Sequence, residues 1–145
     1  MSLDKAFSIA AKAFEGVFDK HGQPYFVHCY EVMRRVNDRD EDVRCAAVLH
    51  DLVEDTEWTL EQLLSEGFSE RCVQLVSLVT HDKQESYEEY VLRLSSDPDA
   101  RAIKMSDLCH NSDITRCKGV SSKDMERIQK YHRAYMTLRM VDLEE

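Results

Sequence analysis

The stretch Cys45-Ala46-Ala47-Val48-Leu49-His50-Asp51-Leu52-Val53-Glu54-Asp55-Thr56 decides how this chain is read. Its first half is apolar on every side, which suits a helix buried on all faces. Its second half sets one imidazole and three carboxylates within two helical turns. The pattern predicts a helix from near Asp40 to Val53, its start marked by acidic residues that favour a helix N-terminus. Residues four apart share a helix face, so Glu54 is expected above His50 and Asp55 above Asp51. Bringing such a group to the end of a buried helix costs several kcal/mol per unpaired charge, unless a metal ion, a cationic partner or solvent offsets it. A solvated acidic helix end is the plainer reading of the same residues, weakened by the apolar lead-in.

Working outward, the remaining segments also read as helices. Ala6, Phe7, Ile9, Ala10, Ala13, Phe14 and Val17 form a stripe at helical spacing, predicting a first helix over about Leu3 to Phe18. His21-Gly22-Gln23 breaks it, and Pro24 is placed as the first residue of a second helix reaching Val36, with Phe26, Val27, Tyr30, Val32 and Met33 inward. Thr59-Leu60-Glu61-Gln62 and Ser86-Tyr87-Glu88-Glu89 fit capping boxes, Ser69 is a third candidate cap, and Gly67 is placed as a helix stop. Asp97-Pro98 reads as an N-cap and first-turn proline opening a helix to about Ile114, and Ser121 or Ser122 opens the last, to about Val141. With four glycines and two prolines in 145 residues, turn signals are too few for a β architecture. The expected fold is all-α, a single domain over residues 1–145 with seven to eight helices.

A net charge of −9 argues against duplex nucleic acid as a partner. It leaves room for a small phosphorylated ligand, because a divalent cation and a few Lys or Arg residues can reverse the sign inside one pocket. Five cysteines, odd in number and without C-x-x-C spacing, read as reduced thiols of a cytoplasmic protein. No signal peptide and no membrane span is expected, since no apolar run approaches 18 residues.

A metal site needs ligands from several elements, and His28 and Asp107 are the best candidates to join His50 and Asp51. Taken alone, His28 reads equally as a core or surface histidine, and Asp107 as an ion-pair partner of Lys104 at i−3. Mixed imidazole and carboxylate donors suit Mn²⁺, Fe²⁺, Zn²⁺ or Mg²⁺ with open positions, a setting for phosphate-ester or anhydride hydrolysis.

The order H-G-x-P-Y-x-x-H at 21–28, A-A-x-L-H-D-x-V-E-D-T at 46–56, Leu78-Val79-Thr80, and K-x-x-D-x-x-H-N at 104–111 resembles the HD superfamily. The likeness is to the hydrolase domain of RelA/SpoT-type alarmone enzymes and their small single-domain relatives. That resemblance implies an all-α fold holding one divalent cation, typically manganese, on His28, His50, Asp51 and Asp107. It implies that Glu54 and Asp55 orient and activate the attacking water, and that the substrate is a small nucleotide, foremost guanosine 3′,5′-bis(diphosphate) losing its 3′-pyrophosphate. Lys104 and Asn111 share a face with Asp107 and are expected at the substrate, with Arg116 and Lys118 the nearest cations for a distal phosphate. The family's longer Arg/Lys-containing loop before Pro-Tyr is read as missing, because His21-Gly22-Gln23 joins Pro24 directly. Asp113 also stands where phosphate approaches. An HD nucleotidase or phosphodiesterase, or a nucleotide-binding module without turnover, are the rival readings. His81 is placed at the pocket rim, His110 at the surface in preference to a place behind the metal ligands where it would support one of them, Tyr87 and Tyr90 in the core, and His132 with residues 133–139 on a solvated face.

Overall fold

The computed structural model describes residues 2–145, the side chain of Ser2 excepted. The chain is all-α: among the described residues there are nine α-helices, one 3₁₀ turn and no strand, with a lone β-bridge between Phe18 and Pro24. The helices are α1 (Ser2–Ala13), α2 (Tyr25–Arg34), α3 (Glu41–Val48), α4 (Leu52–Asp55), α5 (Leu60–Ser65), α6 (Glu70–Leu78), α7 (Tyr87–Leu94), α8 (Pro98–Asn111) and α9 (Ser122–Glu144), with the 3₁₀ turn at Ile114–Arg116. Helix α3 is the hub. It packs against α1, α2, α6 and α8, and Cys45 through Leu49 are almost wholly enclosed, as an element apolar all round requires.

The expected caps are present. Thr59 and Ser86 each close a capping box with Gln62 and Glu89, Ser69 accepts from the Cys72 N–H, and Ser121 pairs with Asp124. Asp97 accepts from the backbone N–H groups of Asp99 and Ala100 ahead of Pro98 at the start of α8. Gly67 adopts φ +99°, the left-handed conformation that ends a helix cheaply only at glycine.

Three boundaries differ from the sequence reading. Helix α1 stops at Ala13, not Phe18, because Gly16 turns the chain at φ +78° and leaves Val17 and Phe18 exposed. Residues 14–24 therefore form a real loop, closed by Asp19 N–H donating to the Gln23 carbonyl (2.8 Å) and Tyr25 N–H to that of Val17 (2.8 Å). Pro24 caps α2 from outside, and α2 buries Val32 and Met33 as expected, with His28 and Cys29 inward in place of Tyr30, which lies exposed.

The third difference matters most. The helix predicted to run through Val53 breaks at the histidine. Leu49 leaves helical dihedrals, and His50 N–H and Leu52 N–H reach back only three residues, to the carbonyls of Ala47 and Leu49. This kink swings His50 and Asp51 toward α2 and α8 and carries Glu54 and Asp55 onward to an exposed rim.

Candidate metal centre and adjoining cavities

Four side chains from three parts of the chain converge below the kink. His28 comes from α2, His50 and Asp51 from the α3–α4 junction and Asp107 from α8, and one ligand-type atom from each lies within 4.8 Å of the others. His28 Nε2 stands 2.9 Å from Asp107 Oδ1 and 3.6 Å from Asp51 Oδ2; His50 Nε2 stands 3.0 Å from Asp51 Oδ2 and 3.4 Å from Asp107 Oδ1. Both histidines are 2% exposed, and neither Nε2 has a hydrogen-bond partner of good geometry.

For His50 the reason is visible. Its Nδ1 lies 2.8 Å from the Ala47 carbonyl, which can only accept, so Nδ1 carries the hydrogen and neutral His50 turns a bare Nε2 lone pair toward the carboxylates. Lone pair facing lone pair is unfavourable unless a positive charge sits between them. Burial lowers the affinity of His50 for a proton, but Asp51 and Asp107 outweigh that and hold its pKa well above the usual range. Asp107 is pushed down despite its burial by Lys104 and the two imidazoles, and Asp51 is lowered by His50 against the same burial cost. Two imidazoles and two carboxylates at these spacings form a donor set of borderline hardness that fits a divalent ion.

Neighbouring groups fix the carboxylates. Lys104 Nζ donates to Asp107 Oδ2 and Asn111 Nδ2 to Asp107 Oδ1, each at 2.9 Å, since the i−3 and i+4 positions share Asp107's face of α8. The Tyr25 hydroxyl donates to Asp51 Oδ2 at 2.5 Å. Glu54 and Asp55 lie beside the cluster on the cavity wall. Glu54 Oε1 accepts the His81 backbone N–H at 2.8 Å, and partial desolvation together with Asp51 and Glu54 lifts Asp55 to about 6.

The cluster opens onto a cavity of about 260 Å³ whose walls include Glu54, Asp55, His81, Lys104 and Lys130. A second cavity of about 260 Å³ adjoins it across Tyr25, Asn111 and Tyr131, and carries Lys20, His21, Arg116 and Arg127. Lys20 and His21 reach it from the 14–24 loop. Arg116 lines this second cavity, away from the cluster, with one guanidinium nitrogen on Asp19 Oδ2 at 2.6 Å and another on the His110 carbonyl at 2.7 Å. Lys118 lies in a separate surface depression, and Asp113 accepts from Thr115.

Sequence reasoning missed several of these wall residues. Arg127, Lys130 and Tyr131 sit on α9, with Lys130 Nζ 4.2 Å from the centre of the Tyr87 ring, while the stretch 133–139, expected on a solvated face, is exposed at Arg133, Met136, Thr137 and Arg139 but buries Ala134 and Leu138 in the core. The packing of α9 on α7 and α8 brings them to the cavity. Tyr87 forms part of the cavity wall and stays half-buried, whereas Tyr90 is core as expected. His110 is the clearest correction: it is buried, with its Nδ1 2.7 Å from that of His28, because the end of α8 lies against α2.

The HD-domain profile matches residues 6–108. The chain belongs to the HD-domain family. It is 32% identical to the guanosine-3′,5′-bis(diphosphate) 3′-pyrophosphohydrolase of Aquifex aeolicus, over 75% of this chain but 17% of that protein. The chain thus spans about a sixth of that long relative. It is also 32% identical to the mouse guanosine-3′,5′-bis(diphosphate) 3′-pyrophosphohydrolase MESH1, covering 78% of this chain and 68% of the mouse protein. A solved metazoan ortholog of SpoT that hydrolyzes ppGpp superposes with a TM-score of 0.75 over 94% of this chain and 84% of its own, at 22% identity, a likeness of fold.

Proposed function

We propose that this HD domain, acting as one unit over residues 1–145 in the cytoplasm, is a divalent-metal-dependent phosphohydrolase that removes pyrophosphate from the 3′ position of guanosine 3′,5′-bis(diphosphate). The observation that carries the reading is the pair of buried, unpartnered imidazole nitrogens aimed at two carboxylates beside a cavity that also holds Lys104 and Lys130. The names of the relatives supply the nucleotide. His28, His50, Asp51 and Asp107 would hold the ion, with manganese the leading choice. Such an ion supplies Lewis acidity toward a phosphoryl oxygen and makes water more acidic.

The chain's own groups do the rest. Asp55, lifted to about 6, and Glu54 stand at the rim as proton acceptors for the attacking water. The Lys104 ammonium keeps two donors beyond the one given to Asp107, enough to hold a phosphate oxygen. Asn111 stands on the wall between the two cavities and is assigned to the sugar side of the ligand. The second cavity takes the remainder of the nucleotide, with Arg116 as part of its wall.

The test is to supply purified protein with Mn²⁺, then with a chelator, and present a nucleotide panel with orthophosphate and pyrophosphate read separately. Pyrophosphate from guanosine 3′,5′-bis(diphosphate), abolished by the chelator, is the expected result. Orthophosphate or an opened diester from another nucleotide alone defeats the substrate assignment in favour of a nucleotidase or phosphodiesterase. Glu54→Gln is expected to lower turnover by about 10²–10⁴-fold with metal uptake intact; nucleotide binding without any turnover in the parent chain would identify a binding module.

A further inference from the structure

The buried contact between His28 and His110 has no part in the reading above. Their rings are inclined by only 16° with centres 5.0 Å apart, while the two Nδ1 atoms are 2.7 Å apart. Rings whose facing edges approach that closely at such a centre separation lie edge to edge, the arrangement of an N–H···N hydrogen bond. One hydrogen occupies such a contact: two would collide, and none would set two lone pairs against each other.

We propose that His110 is a positioning residue, its Nδ1 accepting the Nδ1 hydrogen of His28 and so holding the His28 imidazole in the tautomer whose Nε2 lone pair faces Asp51 and Asp107. The proposal rests on the assignment of His28 as a metal ligand. It makes the two histidines of the cluster equivalent by different means. His50 is oriented by the Ala47 carbonyl within its own helix end, whereas His28, near the start of α2, takes its acceptor from α8. A metal-bound histidine commonly donates its second ring N–H to a carboxylate. Here a carboxylate would add a third buried negative charge beside Asp51 and Asp107, and a neutral imidazole orients the ring without that cost. The acceptor is itself held in place: α8 packs on α2, the Ser106 hydroxyl donates to the Val32 carbonyl at 2.8 Å, and Arg116 grips the His110 carbonyl.

Two measurements on the full chain test this. In the first, metal-free protein competes with a fluorescent chelator for Zn²⁺ or Mn²⁺. His110→Phe, which fills the space but cannot accept, is expected to weaken uptake by roughly 10–100-fold, and His110→Asn, whose Oδ1 can accept, to recover most of it at unchanged thermal stability. In the second, long-range ¹H–¹⁵N spectra of the zinc-loaded parent protein are expected to show the hydrogen on His28 Nδ1 and a bare Nδ1 on His110, a result independent of whether any variant folds. His110→Phe binding as tightly as the parent, or the hydrogen found on His110 Nδ1, overturns the role of His110. A parent chain that takes up neither ion defeats the metal-centre assignment itself.

Discussion

Two places in this molecule bury charge, and they do it in opposite ways. Arg101 on α8 is 1% exposed, and each of its guanidinium nitrogens has an acceptor: Asp142 Oδ1 for Nε at 2.8 Å, the Ser95 carbonyl for Nη1 at 2.6 Å and Glu145 for Nη2. Its two carboxylate partners are about half exposed, so water shares their charge. The group is complete as it stands and fastens the end of α9 to α8. At the cluster of His28, His50, Asp51 and Asp107, two carboxylates and two imidazole nitrogens face inward together with little solvent, and the nitrogens lack good partners. Buried charge that is fully paired serves the fold, while buried charge left short of a partner marks where something else must bind.

The sharpest way to break this contrast is to neutralise one member of the incomplete cluster. Asp107→Asn or Asp51→Asn is expected to abolish retention of a divalent ion and lower pyrophosphate release by more than the roughly 10–100-fold typical of losing an outer partner, with the circular dichroism spectrum unchanged. Retained metal binding in both variants would mean that the cluster is only an internal salt-bridge network.

Arg101→Met should do the reverse. It removes three charge-assisted hydrogen bonds whose acceptors are partly in water, so denaturant unfolding is expected to show a loss of about 1–3 kcal/mol, with metal affinity unaltered. Loss of metal affinity together with stability would show that the two regions are coupled through α8.

A smaller effect concerns pH. In chelated protein His50 binds its proton more tightly than it does in the unfolded chain, so the stability it contributes is complete below the ordinary value of 6.5 and is lost as pH rises through its elevated folded value. Asp55, also raised, works in the same direction between 3.8 and about 6. Melting temperature in chelator should therefore decline as pH climbs above neutrality, and a divalent ion should flatten the decline by replacing the proton. An identical pH profile with and without metal would remove the proton's assigned place in the cluster.

Most of the fold was legible in the chain itself. The capping boxes at Thr59 and Ser86, the Asp97-Pro98 start and the Gly67 stop act over three or four residues, so local hydrogen bonding decides them wherever the segment lies. The four members of the cluster could be nominated because their chemistry is costly to bury. Sequence could not foresee the kink after Val48, since Leu49-His50-Asp51 carries no glycine or proline and the break is enforced by the neighbours that α3 packs against. It raised a supporting place for His110 but could not choose it over the surface, because the contact with His28 depends on where α8 crosses α2, and it could not foresee Arg127 and Lys130, whose places depend on where α9 returns.

The sequence by itself determined that this is an all-α chain with a kernel of imidazoles and carboxylates, because helix signals are short-range and the solvation cost of those groups belongs to the residues themselves. Only the tertiary structure decided that His28 and Asp107 meet His50 and Asp51, which tautomer each ring can hold, and which cations reach the cavity. Those outcomes depend on ångström-scale distances between segments up to about a hundred residues apart in the chain, as the contact of Asp19 with Arg116 illustrates, and such distances are set by packing, which no local pattern encodes.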